Sequence, residues 1–125
     1  MKQQINVANA PAAIGPYSQG ILSGNLAFLS GQLPINPATK AMPEGITAQA
    51  KQSLENVKAV LAGEGFTLQD VVKTTVYLQN MDDFAAMNAV YAEYFSTPFP
   101  ARSAFEVARL PMGALVEIEC IACKG

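Results

Sequence analysis

The run Val71–Leu78, VVKTTVYL, constrains the fold of this chain more than any other segment. Its β-branched residues suit a pleated strand. It is also apolar on both sides: Val72, Val76 and Leu78 alternate along one face, while Val71 and Tyr77 fall on the other. The segment Ser103–Ala108 repeats the property, with Phe105 and Val107 opposed to Ala104 and Ala108. A sheet built from such strands needs cover on both faces.

Only two segments can supply helices. After a loop from Gly31 to Gly45 that carries Pro34, Pro37 and Pro43, the residues Ala50, Leu54, Val57 and Leu61 recur at helical spacing. They predict a helix of about 17 residues with Thr47 as N-cap and Gly65 at the C-terminal left-handed position. Asp82 or Asp83 can cap a second helix whose Phe84, Met87, Tyr91 and Phe95 mark one face, ended by Thr97-Pro98-Phe99-Pro100. Extended runs at 17–23 and 26–30 meet at Gly24-Asn25, a hairpin turn pair. A final strand over Leu115–Ala122 follows a turn at Pro111-Met112-Gly113.

The predicted order is β-β-α-β-α-β-β in one domain, residues 1–125, of the α+β class, with both helices on one face of a mixed sheet. The second face then requires another partner, and a second copy of the chain is the simplest one. Charge points the same way. Only 14% of residues are charged, against about 25% in a typical soluble domain.

The same composition excludes whole classes of function. Net charge is −2 and the eight basic residues are scattered, unlike a nucleic-acid footprint. The first residues lack a signal-peptide layout, and no apolar run reaches the roughly 20 residues of a membrane span, so a soluble, cytoplasmic protein is expected. The chain has no His, which removes Ser-His and Cys-His nucleophilic systems and the commonest zinc ligand. Proton transfer at neutral pH then falls most naturally to a carboxylate.

Several residues could carry chemistry. Arg102 lies in PFPARSAFEVARLP, where Pro98 and Pro100 fix the approach to a strand. A guanidinium at a strand start can grip a carboxylate or phosphate with two hydrogen bonds, although a surface ion pair fits the same residues. Glu117 and Glu119 alternate with Val116, Ile118 and Cys120 and share one face of the last strand. Part-buried, such a carboxyl would titrate high and could transfer protons; solvated, it would be an ordinary edge residue. Tyr17 in GPYSQG reads as a pocket residue or as an apolar anchor. Ser30 and Gly31 in SGQLPINP read as a close backbone approach to a ligand or as a simple turn. Asn88 interrupts the apolar face of the second helix and needs a partner. Cys120 and Cys123, three apart in a strand, point to opposite faces and are structural rather than a redox pair.

Four blocks, APAAIGPYSQG, FLSGQLPINPATK, TTVYLQNMDDFAAMNAVYAEYF and PARSAFEVARLPMGALVEIE, resemble the RidA (YjgF/YER057c) family in order and spacing over nearly the whole chain. The resemblance implies a chorismate-mutase-like homotrimer with three pockets between subunits and 2-iminobutanoate/2-iminopropanoate deaminase activity, a form of metabolite damage control that needs no cofactor or metal. By position it assigns Arg102 to the substrate carboxylate and Glu117 to the attacking water. Tyr17, Ser30, Gly31, Asn88 and Tyr91 would shape the pocket, partly from the adjacent subunit. Many members carry a Cys where this chain has Ala104, so a thiol nucleophile is excluded there, while the Ala104 backbone can still hydrogen-bond substrate. A non-catalytic ligand-sensing or protein-binding trimer is the alternative. RNA cleavage, attached to some relatives, suits an acidic chain without His poorly.

Overall fold

A computed structural model describes all residues from 1 to 125. The strands are β1 (Lys2–Ile5), β2 (Gly20–Ser23), β3 (Leu26–Leu29), β4 (Val71–Leu78), β5 (Ala101–Glu106) and β6 (Val116–Cys123), and the helices are α1 (Ile46–Ala62) and α2 (Phe84–Tyr94). They form one mixed sheet in the order β1-β2-β3-β6-β4-β5. Its only parallel pair is β4 with β5, the two strands joined through α2.

The elements follow from local chemistry. Gly24 adopts φ 60° at the first position of the two-residue β2–β3 turn, where a right-twisted hairpin favours glycine. Gly65, at φ 77°, reverses the chain after α1; the Gly65 N–H donates to Ala62 and the Phe66 N–H to Leu61. That is the bonding pattern of a left-handed helix end, as expected at this glycine.

Both helices pack on one sheet face, and the core lies between them. Leu54, Val57, Val60 and Leu61 of α1 meet Val76, Leu78, Val116 and Ile118 of the sheet, all fully buried. Each stabilises the fold by about 1.5–3 kcal/mol relative to exposure. The other face stays open. Register places Ile21, Phe28 and Ile121 side by side there, and Tyr77 opposite Phe105. Phe28 is 41% exposed and Phe105 45%. No helix is long and apolar enough to cross a membrane.

Five sequence expectations change. An extra strand, β1, precedes the predicted order; only Ile5 of its four residues is buried, so it carries no alternating signal. Residues 17–19 are not part of β2, which starts at Gly20. Thr47 lies inside α1, which opens at Gly45 without a side-chain cap. Asp83 stands at the N-cap position of α2, as expected of one of the two aspartates, but its side chain makes no cap hydrogen bond. A short 3₁₀ turn over Met81–Asp83 leads into the helix, and Asn80 Oδ1 accepts from the Asp82 N–H at 2.8 Å. Val72 does not share a face with Val76. A bulge between Val71 and Lys73 sets both Val71 and Val72 against Ala122, which turns Val71 into the core and leaves Val72 49% exposed.

Candidate functional site

Arg102 enters the sheet in β5, beside Thr74 of β4. The neighbouring Thr74 is fully buried, so this position of the sheet faces the helices, and Arg102 lies against α2. Its Nη1 donates to Asn88 Oδ1 at 2.6 Å. The guanidinium carbon stands 4.8 Å from the centre of the Tyr91 ring and 5.4 Å from that of Phe84. One hydrogen bond and two aromatic faces hold the cation without neutralising it. Its other donors remain free for an anion. Asn88, Tyr91, Ala92, Phe99, Pro100 and Arg102 line a cavity of about 410 Å³.

Ala104 continues the strand two residues on. Because β5 is an edge strand, one row of its backbone N–H and C=O groups has no partner strand. The partner that Asn88 needed is Arg102.

The second cluster forms around Glu117. Val116 and Ile118 point into the core, so Glu117 points to the open face, where it lies opposite Tyr77. Burial, and then the charge of Glu119, push its carboxyl above the usual carboxylate range. The carboxyl rests directly over Gly31: a Cβ at that position would come within 2.8 Å of Glu117 Cδ. The bare backbone of Gly31 thus leaves room for the Glu117 carboxyl to approach this closely.

Ser30 beside it donates from Oγ to the Ser18 carbonyl at 2.6 Å, tying β3 to the loop that bears Tyr17. Tyr17, 53% exposed, joins Gly31, Gln32, Leu33, Ile14 and Met112 around a smaller cavity of about 110 Å³.

The structure thus gathers the expected residues into two groups: Arg102, Asn88 and Tyr91 on the helix side, and Tyr17, Ser30, Gly31 and Glu117 toward the open side. Within one chain, Arg102 and Glu117 occupy opposite faces of the sheet. A small substrate cannot touch both in a single copy.

Cys120 is buried, its thiol pushed up to about 12 mainly by that burial, while Cys123 lies on the other face. The pair is structural in position, as its spacing predicts.

Sequence reasoning missed the residues that hold these loops. Gln19, 2% exposed, accepts from the Val7 N–H at 2.7 Å and donates to the Val7 and Pro11 carbonyls. Asn56, 1% exposed, donates to the carbonyls of Leu33 and Ile35. Gln49 accepts from the Leu115 N–H and donates to the Pro43 carbonyl. Their one available signal was the placement of an amide on an otherwise apolar face, as at Asn56 between Leu54 and Val57.

The comparisons with known proteins agree with this architecture. The endoribonuclease L-PSP family matches residues 7–124. A RutC family protein of Pyrococcus horikoshii is 55% identical over 125 residues, covering 99% of both chains. The 2-iminobutanoate/2-iminopropanoate deaminase of Escherichia coli is 50% identical over 127 residues, again covering 99% of both. The crystal structure of RidA from an Antarctic Psychrobacter superposes with a TM-score of 0.95 at 47% identity, covering 98% of this chain and 99% of that one. The chain belongs to the endoribonuclease L-PSP family, and within it to the RidA (YjgF/YER057c) proteins that its four sequence blocks resemble.

Proposed function

We propose that this protein hydrolyses 2-imino acids, and the enamines that tautomerise to them, to 2-keto acids and ammonia. The substrates of this reading are small: 2-aminoacrylate/2-iminopropanoate and 2-iminobutanoate, after the relative named for them. The observation that carries the reading is the Arg102 guanidinium, oriented by Asn88 and two aromatic rings, with free donors at a cavity of about 410 Å³. The 50% identity to a protein named for this reaction supports it.

The chemistry asks little of the protein. A protonated imine carbon is already electrophilic. Arg102 grips the carboxylate and fixes where that carbon sits. Water adds to the carbon as the Glu117 carboxylate takes its proton. Glu117 then passes that proton to the carbinolamine nitrogen, and the C–N bond breaks to release ammonia. The hydroxyl proton leaves as the carbonyl forms, going to the departing ammonia, so that Glu117 ends as a carboxylate. The raised Glu117 carboxyl is suited to this exchange, because it accepts a proton more readily than a solvated glutamate. The Ala104 backbone at the free edge of β5 can hydrogen-bond the bound substrate.

Since Arg102 and Glu117 of one chain face apart, the complete site forms between copies. In this reading Arg102, Asn88 and Tyr91 come from one subunit, and Tyr17, Ser30, Gly31 and Glu117 come from the next, in a homotrimer. The open sheet face with Ile21, Phe28, Tyr77, Phe105 and Ile121 supports such self-association.

The test is Arg102→Ala, assayed on 2-aminoacrylate released from serine by a dehydratase. A loss of about 2–4 kcal/mol in transition-state stabilisation is expected for removing one side of a charge-assisted contact. Undiminished turnover in the purified variant sinks the role of Arg102. Glu117→Gln separates catalysis from sensing: retained ligand binding with retained turnover leaves the carboxyl without a catalytic task.

A further inference from the structure

Thr74 is a fully buried hydroxyl between Arg102 and Cys120 in the sheet, and it has a single hydrogen-bond partner. Its Oγ1 lies 2.7 Å from the Tyr91 hydroxyl. Packing alone does not call for a threonine here. Valine has nearly the same shape, is at least as favourable in a strand and brings no hydroxyl to desolvate. The hydroxyl therefore has a use at the other end of its bond.

That other end is the platform beneath Arg102. Tyr91, 5% exposed, reaches from α2 down to the sheet and ends at Thr74, the β4 residue paired with Arg102. Its ring faces the guanidinium at 4.8 Å and is backed by Phe95, with ring centres 4.5 Å apart. Asn88, one helical turn before Tyr91, holds Nη1 of the same guanidinium. Three of the groups that set the direction of Arg102, namely the ring, the amide and the strand position, are thus tied together at one point.

We propose that Thr74 is a positioning residue for substrate binding: by anchoring the Tyr91 hydroxyl to the sheet, it fixes the ring on which the Arg102 guanidinium lies and so aims the free donors of Arg102 at the cavity. This rests on the reading of Arg102 as the carboxylate grip. Thr74 hydrogen-bonds Tyr91 and not the Arg102 guanidinium. Its effect is transmitted through Tyr91, so it bears on binding of the carboxylate and leaves the water-addition step alone.

The experiment uses the full chain with four substitutions: Thr74→Val, Thr74→Ser, Tyr91→Phe and the double Thr74→Val/Tyr91→Phe. The readouts are kcat and KM on 2-aminoacrylate, the dissociation constant of 2-oxobutanoate as an unreactive carboxylate probe, and the melting temperature. Thr74→Val is expected to raise KM and the 2-oxobutanoate constant roughly tenfold, the scale of one net hydrogen bond, with kcat within about twofold. Thr74→Ser, which keeps the hydroxyl, restores both. The double variant removes both hydroxyls and leaves no buried group unpaired, so its melting temperature recovers. Its KM stays raised, because the ring is no longer anchored.

A KM that recovers with stability in the double variant overturns the proposal and leaves a merely structural bond. So does a Thr74→Val protein with wild-type KM. If Thr74→Val does not fold, the double variant and Tyr91→Phe carry the same comparison. A wild type that neither turns over 2-aminoacrylate nor binds 2-oxobutanoate overturns the reading of Arg102 itself, and this inference with it.

Discussion

Gly31→Ala is the sharpest test of the seat that holds the Glu117 carboxyl. A Cβ on Gly31 would lie 2.8 Å from Glu117 Cδ and 3.0 Å from its Cγ, with the nearer carboxylate oxygen closer still. Ordinary contact begins near 3.4 Å, so the carboxyl carbon must retreat by about 0.6 Å and the oxygen by about 1 Å or more to avoid overpacking. Gly31 is not among the glycines with positive φ, so alanine meets no backbone strain there. The obstacle is the end of a flexible side chain that can move toward the open face.

Stability should therefore change by less than about 1 kcal/mol, the usual range for a change that can relax, helped slightly by the stiffer unfolded chain. Activity should not be spared. Misplacing a catalytic group by about 1 Å costs on the order of 10²-fold in rate. The assay is kcat on 2-aminoacrylate beside a chemical denaturation midpoint, for Gly31→Ala, Glu117→Gln and the double variant. If the alanine acts through Glu117, the double variant is no slower than Glu117→Gln alone. A Gly31→Ala protein with kcat within twofold of wild type refutes the argument that this carboxyl must sit against bare backbone. Additive losses in the double variant refute it too.

Other consequences are as direct. Because burial and Glu119 raise the Glu117 carboxyl, the folded state binds its proton more tightly than the unfolded state does; its contribution is present below the unfolded value and is lost as pH rises through the folded one. Glu117→Gln should thus melt higher than wild type at pH 7 and converge with it near pH 4, and melting curves that stay parallel across that range contradict the assignment. Asn56→Ala strips the Leu33 and Ile35 carbonyls of their donor and should lower stability by about 1–3 kcal/mol, read as a fall in denaturation midpoint at unchanged slope. Gln19→Ala releases residues 7–11 and should speed amide exchange at Val7, with α1 unaffected; uniform acceleration across the chain would instead mean global destabilisation. Phe28→Glu places a charge on the open sheet face and should convert the trimer proposed above to monomer in mass measurement, and a monomeric wild type would remove the basis for a site shared between copies.

How far the sequence could be read depended on how locally each feature is encoded. The β2–β3 hairpin was legible because Gly24-Asn25 determines its own turn. The α1 core face was legible because Leu54, Val57 and Leu61 repeat at helical spacing. Strand β1 was not, since its only sequence-level mark is Ile5 and its partner is 15 or more residues away at Gly20–Ser23. The start of α1 was misplaced because it opens at Gly45, whose missing side chain leaves no cap signal, and at α2 the cap hydrogen bond belongs to Asn80 and the 3₁₀ turn that precedes the helix. Arg102 and Glu117 were visible as residue types and by resemblance. Their separation onto opposite sheet faces was not, because it arises from the pairing of β5 and β6 with the two sides of β4. The Arg102–Asn88 bond joins residues 14 apart across an element boundary, beyond the reach of any periodicity.

The bulge in β4 bears on how the chain tolerates changes in its own length. Val71 and Val72 share one partner on β6, so the strand holds one residue more than its neighbour requires. Removing Val72 would leave Val71, Lys73 and Thr74 in plain alternation, core, open, core, with every side chain after it on its present face. Removing Thr75 or Val76 would invert the rest of the strand and swing Leu78 out of the core. A single-codon deletion in this strand is therefore survivable at one place, and that place is a spare residue stored next to the start of the strand on which Arg102's platform depends.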